Sequence, residues 1–307
     1  MPAALFLYFC RMKNPFTMRA CFIFLLFVPV VLSCNTATNQ SNANNIAAPK
    51  VISTPEDEEI LNKFINLFYE RKDAPVQDLI VNAGIFLLNS SYAEHTLEHE
   101  PEMPVINLRE MDCTTFIENS IALARTLKSE KQNIEQFAHE LTNIRYRNGI
   151  VDDYTSRLHY FSDWIYENIK NERLKDISED VSNTPLTLKL DFMSTHPESY
   201  KQLRDTALLN VIAAQEKEIS ARKMFYIPKN NLVNVEDKLN SGDVIAVTTN
   251  INGLDVSHTA LLIRLNDRIH ILHASSVAGK VVISDETLED YLNNNNRSTG
   301  IIVARPR

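Results

Sequence analysis

"DVSHTALLIRLNDRIHILHASS", residues 255–276, is the stretch that decides the class of fold. Apolar and polar residues alternate on both sides of Asn266-Asp267, the period of half-buried strands joined by a two-residue turn. His258 falls on one face with Ala260 and Leu262; His273 falls on one face with Ile271 and Ile269, and His270 takes the other. Antiparallel pairing about that turn brings His258 opposite positions 274–275, beside His273, so the two imidazoles can meet across adjacent strands.

Working outward, "GDVIAVTTN", "KVVISD" and "TGIIVARP" are further short β-rich runs separated by turn signals, and they predict an antiparallel sheet over 228–307. Upstream the period changes. Thr54 caps a helix that runs to Tyr69, with Pro55 and four acids in its first turns and Leu61, Phe64, Ile65 and Phe68 on its apolar face. Residues 75–89 read as a second helix, Ser90 to Leu108 as a loop, and residues 134–149 as a helix closed by Asn148-Gly149. Residues 156–171 read as a loop entering a helix, and 197–223 as one long helix. The expected class is therefore α+β, with a helix-rich part over 51–227, a strand-rich part over 228–307, and one domain spanning 51–307. At 307 residues, 44% hydrophobic and 23% charged, the chain can bury a sizeable core. Its net charge of −8 argues against sequence-independent nucleic-acid binding, which needs a basic stripe.

The first 33 residues read as an export signal. "FIFLLFVPVVLSC" is an apolar run from Phe22 to Cys34, preceded by Arg11, Lys13 and Arg19. It is too short and one-sided for a stable span. Val31-Leu32-Ser33-Cys34 resembles a bacterial lipobox, which would make Cys34 the acylated first residue of the mature protein. Met12 or Met18 could be the start. Residues 34–50, polar and rich in asparagine, read as a flexible tether. Losing the signal removes three of 31 basic residues and none of the 39 acidic ones, which leaves a charge of −11.

Subtraction isolates one thiol. Cys10 and Cys21 leave with the signal and Cys34 is the anchor, so Cys113 is the only cysteine of the exported body. It has no partner for a disulfide. Phe116, Ile117, Ile121, Leu123, Ala124 and Leu127 follow at helical spacing, which puts Cys113 at a helix start capped by Asp112 or a threonine. The free N–H groups there are expected to lower the thiol's pKa. A thiol, an imidazole and a second residue to orient that imidazole suffice for amide hydrolysis.

"MDCTTFIE", "SHTALLI" and "LHAS", in this order, resemble the NlpC/P60 superfamily of papain-like cysteine peptidases and amidases. More specifically the chain resembles the DUF1460 family of N-acetylmuramoyl-L-alanine amidase-like proteins, from about Asn82 to Arg305. "SSYAEHTLE", "SRLHYFSDWI", "DFMSTH", "GDVIAVTTNINGLDVSH" and "GIIVARP" also take part. The resemblance implies a papain-like core, in which the cysteine-bearing helix packs on an antiparallel sheet elaborated by extra helices. It implies Cys113 as nucleophile, His258 as general base and His273 as the orienting residue. Tyr92, Arg157, His159, Trp164, Asp255, Ser257 and Ser275 become candidate substrate-binding residues. The implied reaction is hydrolysis of the muramyl–L-alanine amide in peptidoglycan fragments, with 1,6-anhydro-muropeptides preferred. No cofactor or metal is expected. Neither is nucleic acid. The picture is of a monomer, lipid-anchored in a bacterial envelope and facing the periplasm. Two positions depart from the family pattern: His95 replaces a small residue, and Ala260 stands where glycine is usual.

Two other classes compete. "HTLEH", His95 to His99, matches the H-x-x-E-H pattern of inverted zinc peptidases, in which two histidines at i and i+4 on a helix share a metal. Pro101 and Pro104 crowd that segment and no apolar face supports a helix. A non-catalytic wall-binding lipoprotein would keep the fold without the reaction; the retained Cys113, His258 and His273 speak against it.

Overall fold

A computed structural model describes residues 51–307. The signal segment, the Cys34 anchor and the tether lie outside the described residues. In chain order the helices are α1 (Pro55–Phe68), α2 (Val76–Phe86), α3 (Cys113–Lys128), α4 (Ile134–Arg145), α5 (Phe161–Lys170), α6 (Ser178–Val181), α7 (Phe192–Thr195), α8 (Thr206–Ser220) and α9 (Leu288–Asn294). The strands are β1 (Ser91–Tyr92), β2 (Glu110–Met111), β3 (Leu174–Asp176), β4 (Thr184–Leu186), β5 (Met224–Pro228), β6 (Val244–Thr249), β7 (Val256–Leu265), β8 (Arg268–Ser275), β9 (Lys280–Ile283) and β10 (Ser298–Pro306). The expected α+β class holds.

The sheet runs β2-β1-β9-β8-β7-β6-β10-β5-β4, with β3 also on β10. It is antiparallel except for the β1–β2 pair. The β7–β8 hairpin turns on Asn266 and Asp267, both with positive φ, the pair of left-handed residues that suits a tight hairpin. Leu265 pairs with Arg268 and Leu261 with Leu272, the register expected from the sequence. Ala260, Leu262, Ile269 and Ile271 face a core closed by Leu288 and Leu292 of α9. On the other face, Leu261 and Leu272 meet Gly84 of α2 and Phe116 of α3.

Most of the predicted elements form, and their ends have local causes. Thr54 caps α1 through a reciprocal box with Asp57. Asp57 also receives the Leu108 N–H and the Arg109 Nε–H, which ties α1 to the segment entering α3. The long helix expected over 197–223 is shorter. Two 3₁₀ turns, Pro197–Ser199 and Lys201–Arg204, precede it, and Asp205 starts α8 by accepting from the Ala207 N–H. The sheet also reaches beyond residues 228–307, because β1 to β5 join it from the helix-rich part.

β10 lies between β6 and β5, with a break in register between Ser298 and Gly300. A Cβ on Gly300 would sit well inside van der Waals contact of the Ile227 carbonyl oxygen on β5. Gly300→Ala is therefore expected to destabilise the fold by about 2 kcal/mol or more. A urea unfolding midpoint equal to that of the wild type would show that the strands are not held this closely.

Candidate active site

Cys113 is the first residue of α3, and Asp112 fixes that start. The Asp112 carboxylate accepts from the Thr115 N–H at 2.8 Å, while Thr115 Oγ1 accepts from the Asp112 N–H at 2.9 Å. This capping box pairs the Thr115 N–H and fixes the first turn of α3 at Cys113. The thiol is half-buried and free. Its pKa moves opposite to the sequence expectation. Burial pushes it up, and the Asp112 charge adds to this; the Thr259 hydroxyl and N–H and the Thr114 hydroxyl pull the other way. Desolvation of the anion outweighs the helix start.

His258 and Cys113 line the same cavity of about 220 Å³. The strand carrying His258 has a register shift beside it, where Val247 pairs with His258 but Thr248 pairs with Val256. Such a bulge re-aims side chains at the end of a strand. His258 Nε2 lies 2.6 Å from His273 Nδ1, with the rings edge to face and centroids 4.8 Å apart. The contact needs one proton between two nitrogens. If His258 Nε2–H donates, His273 is the tautomer protonated on Nε2, and Nδ1 of His258 is left to accept a proton. Burial depresses both rings, with the pKa of His258 lowered to about 3 and that of His273 to about 4. The neutral imidazole that such a base requires is therefore the favoured form near pH 7.

The other candidates divide. His159 lines the thiol's cavity, where its Nε2–H donates to the Tyr154 carbonyl at 2.7 Å. Ser257 lines both this cavity and a larger cleft of about 730 Å³ on the other side of His258; Ser275 lines only the cleft. Asp255 is in the cavity wall, but its carboxylate accepts from the Ser162 and Val256 N–H groups at 2.8 Å each. It thereby caps α5 from another element. Tyr92 donates to Glu94 at 3.1 Å; burial raises its phenol pKa, and the neighbouring Cys113 and Glu94 add to this.

Arg157 and Trp164 do not line the cavity that holds the thiol. The Arg157 guanidinium is buried against Glu98 at 2.9 Å and Glu102 at 2.7 Å, so the carboxylate expected from a substrate is supplied internally. Trp164 is fully buried and stacked on Phe161 with centroids 4.6 Å apart. It belongs to the core. The "HTLEH" segment is not helical: His95 has φ 61°, Glu98 pairs with Arg157, and His99 Nδ1 contacts the Pro101 carbonyl. The two histidines therefore lack the i, i+4 helical geometry on which the zinc reading rested.

Two residues were not singled out in the sequence. Thr259 is buried in the cavity wall beside the thiol, where its hydroxyl helps to lower the sulfur's pKa. Its position next to His258 was the available signal. Tyr291, from α9, packs its ring about 6 Å from both imidazoles. Nothing in the sequence near Tyr291 pointed to this.

The family model described as AmiA-like, N-acetylmuramoyl-L-alanine amidase-like, matches residues 82–301. An N-acetylmuramoyl-L-alanine amidase from Bacteroides uniformis ATCC 8492 superposes with a TM-score of 0.70 and 37% identity, covering 74% of this chain and 98% of its own. A Bacteroides fragilis structure provisionally called a xylanase gives 0.69 at 40% identity, covering 73% and 99%. A Legionella pneumophila str. Philadelphia 1 protein of DUF1460 shares the fold, with a TM-score of 0.61 at 21% identity over 81% and 95%. Comparison with curated proteins gives no match.

His159, with its pKa lowered to about 3, is buried in its neutral form. A histidine depressed in the folded state contributes stability above its unfolded pKa of about 6.5, and this is lost as pH falls toward the folded value. Between pH 7 and 5 the wild type is expected to lose about 1 to 2 kcal/mol relative to His159→Gln, whose amide can still donate to the Tyr154 carbonyl. Urea unfolding at both pH values measures this, and parallel pH curves for the two proteins would refute it.

Proposed function

The chain belongs to the AmiA-like, N-acetylmuramoyl-L-alanine amidase-like family, and from that premise we propose a cysteine amidase that cuts the muramyl–L-alanine amide of peptidoglycan fragments. The observation that carries this reading is a free thiol at a capped helix start, sharing a cavity with an imidazole whose Nε2 is held by a second imidazole. NlpC/P60 kinship and a preference for 1,6-anhydro-muropeptides are part of the proposal, on the strength of the sequence resemblance. So are export, anchoring through Cys34, and work at the periplasmic side of the envelope.

Burial favours the uncharged thiol and the uncharged imidazole, so the proton moves as the bond forms. His258 Nδ1 takes the Cys113 proton while Sγ attacks the lactyl carbonyl carbon. The unpaired N–H groups of the first turn of α3 face the developing oxyanion. The resulting imidazolium keeps donating from Nε2 to neutral His273. The tetrahedral intermediate collapses as His258 returns the proton to the alanine nitrogen. A thioester remains and the peptide amine leaves. Water, deprotonated by His258, then releases the lactyl carboxylate and restores the thiol.

The protein is expected to release free peptide from purified anhydro-muropeptides, as read by mass spectrometry. Cys113→Ala should lower kcat/KM by about 10³-fold or more, and His273→Gln should lower kcat by about 10²-fold. Iodoacetamide should abolish turnover and EDTA should not. Full turnover by folded Cys113→Ala would sink the thiol mechanism. Inactivation by EDTA alone would point back to a metal enzyme.

A further inference from the structure

His258 separates two spaces of different character. The thiol lines the smaller cavity, whereas the cleft of about 730 Å³ has His258 and His273 in its wall and does not include Cys113. In the proposed reaction the acyl group stays on sulfur and the amine leaves by taking a proton from His258. The cleft beyond His258 is therefore where the leaving peptide extends.

That cleft carries one cation, Arg297. The Arg297 backbone is fixed: its N–H donates to Asn295 Oδ1 at 3.0 Å, and its carbonyl accepts from the Asn250 N–H at 3.0 Å. The next residue, Ser298, is buried and donates to the Leu292 carbonyl at 2.6 Å. The guanidinium, by contrast, is exposed, and no carboxylate of the described residues comes within ion-pair distance. Arg157, Arg222 and Arg305 are all neutralised by acids of the fold. Arg297 is thus a rigidly mounted fork of donors left open at the cleft, suited to bidentate capture of a carboxylate. Asp285 and Glu286 line the same cleft, and Glu286 is held by Asn294 at 2.8 Å. Their charge disfavours a polyanion, so the site suits one isolated carboxylate.

We propose that Arg297 binds a carboxylate of the leaving peptide and so sets specificity for wall peptides that carry it free. In such peptides the glutamate after L-alanine is joined through its side chain, which leaves its α-carboxylate as the nearest candidate. The inference rests on the amidase reading for the direction of the substrate, and binding tests it without turnover. In the Cys113→Ala protein, calorimetry should find L-alanyl-γ-D-glutamyl-L-lysinamide, whose one free carboxylate is the glutamate α-carboxylate, binding about tenfold more tightly than its glutamate α-carboxamide. Adding Arg297→Ala should bring that ratio to about one, and Arg297→Lys should keep part of it. Equal binding of acid and amide before the change, or a ratio that survives Arg297→Ala, would overturn the proposal. If the wild type cuts no muramyl amide yet the ratio depends on Arg297, the amidase reading fails and the carboxylate site stands. If it cuts the amide and the ratio is one, the reverse holds.

Discussion

Two reciprocal hydrogen bonds, between Asp112 and Thr115, decide where the central helix begins. Everything around the thiol follows from that starting point. α3 is buried along nearly all of its length, against α2, α4 and the sheet, so it cannot shift along its axis to correct a misplaced end. Near its middle Glu118 pairs at 2.7 Å with Arg145, the last residue of α4, and separating the two would leave a charge stranded in the core. With the helix locked at both its cap and its middle, Cys113 has one place to be. The same carboxylate that sets this position also opposes ionisation of the sulfur. Order at the sulfur is thus obtained at some expense of its acidity, and the neighbouring hydroxyls of Thr114 and Thr259 supply part of the counterweight.

The histidine pair obeys a similar balance. Two imidazoles at 2.6 Å can share one proton comfortably and two only with repulsion. Packing by Tyr291 and burial keep the pair neutral, and neutrality is what lets one ring act as acceptor while the other stays its anchor. Depressed pKa values here are a consequence of desolvation that the geometry turns to use. They would be a liability in a site that needed a standing positive charge.

The hairpin at 255–276 was legible because its information is local. The period is two, the turn is two residues long, and the faces follow by counting. The start of α3 was legible for the same reason. What escaped was set by distant partners. Arg157 looked available until Glu98 and Glu102, more than fifty residues earlier, were brought against it. Trp164 shared a stretch with His159, yet Trp164 turns into the core from α5 while His159, ahead of that helix, stays at the cavity. β1 to β4 have two or three residues each, too few to show any period; β1, β3 and β4 form on the free edges of longer strands, and β2 on β1. The helix over 197–223 was overextended because 3₁₀ turns have a composition much like that of a helix.

The parallel pairing of β1 with β2 has an evolutionary consequence. Tyr92 is paired to Met111, and the Ala93 N–H donates to the Met111 carbonyl, so the chain leaves the site after Tyr92 and re-enters it two residues before Cys113. The excursion between these points is bolted to the body by Arg157 on Glu98 and Glu102 and by Tyr146 on Glu102. A loop that departs and returns at one spot is a cassette. It can be lengthened, trimmed or redecorated without moving the sulfur, provided the bolt at Glu102 is kept. The groups around the sulfur and the segment anchored beside them can therefore change independently.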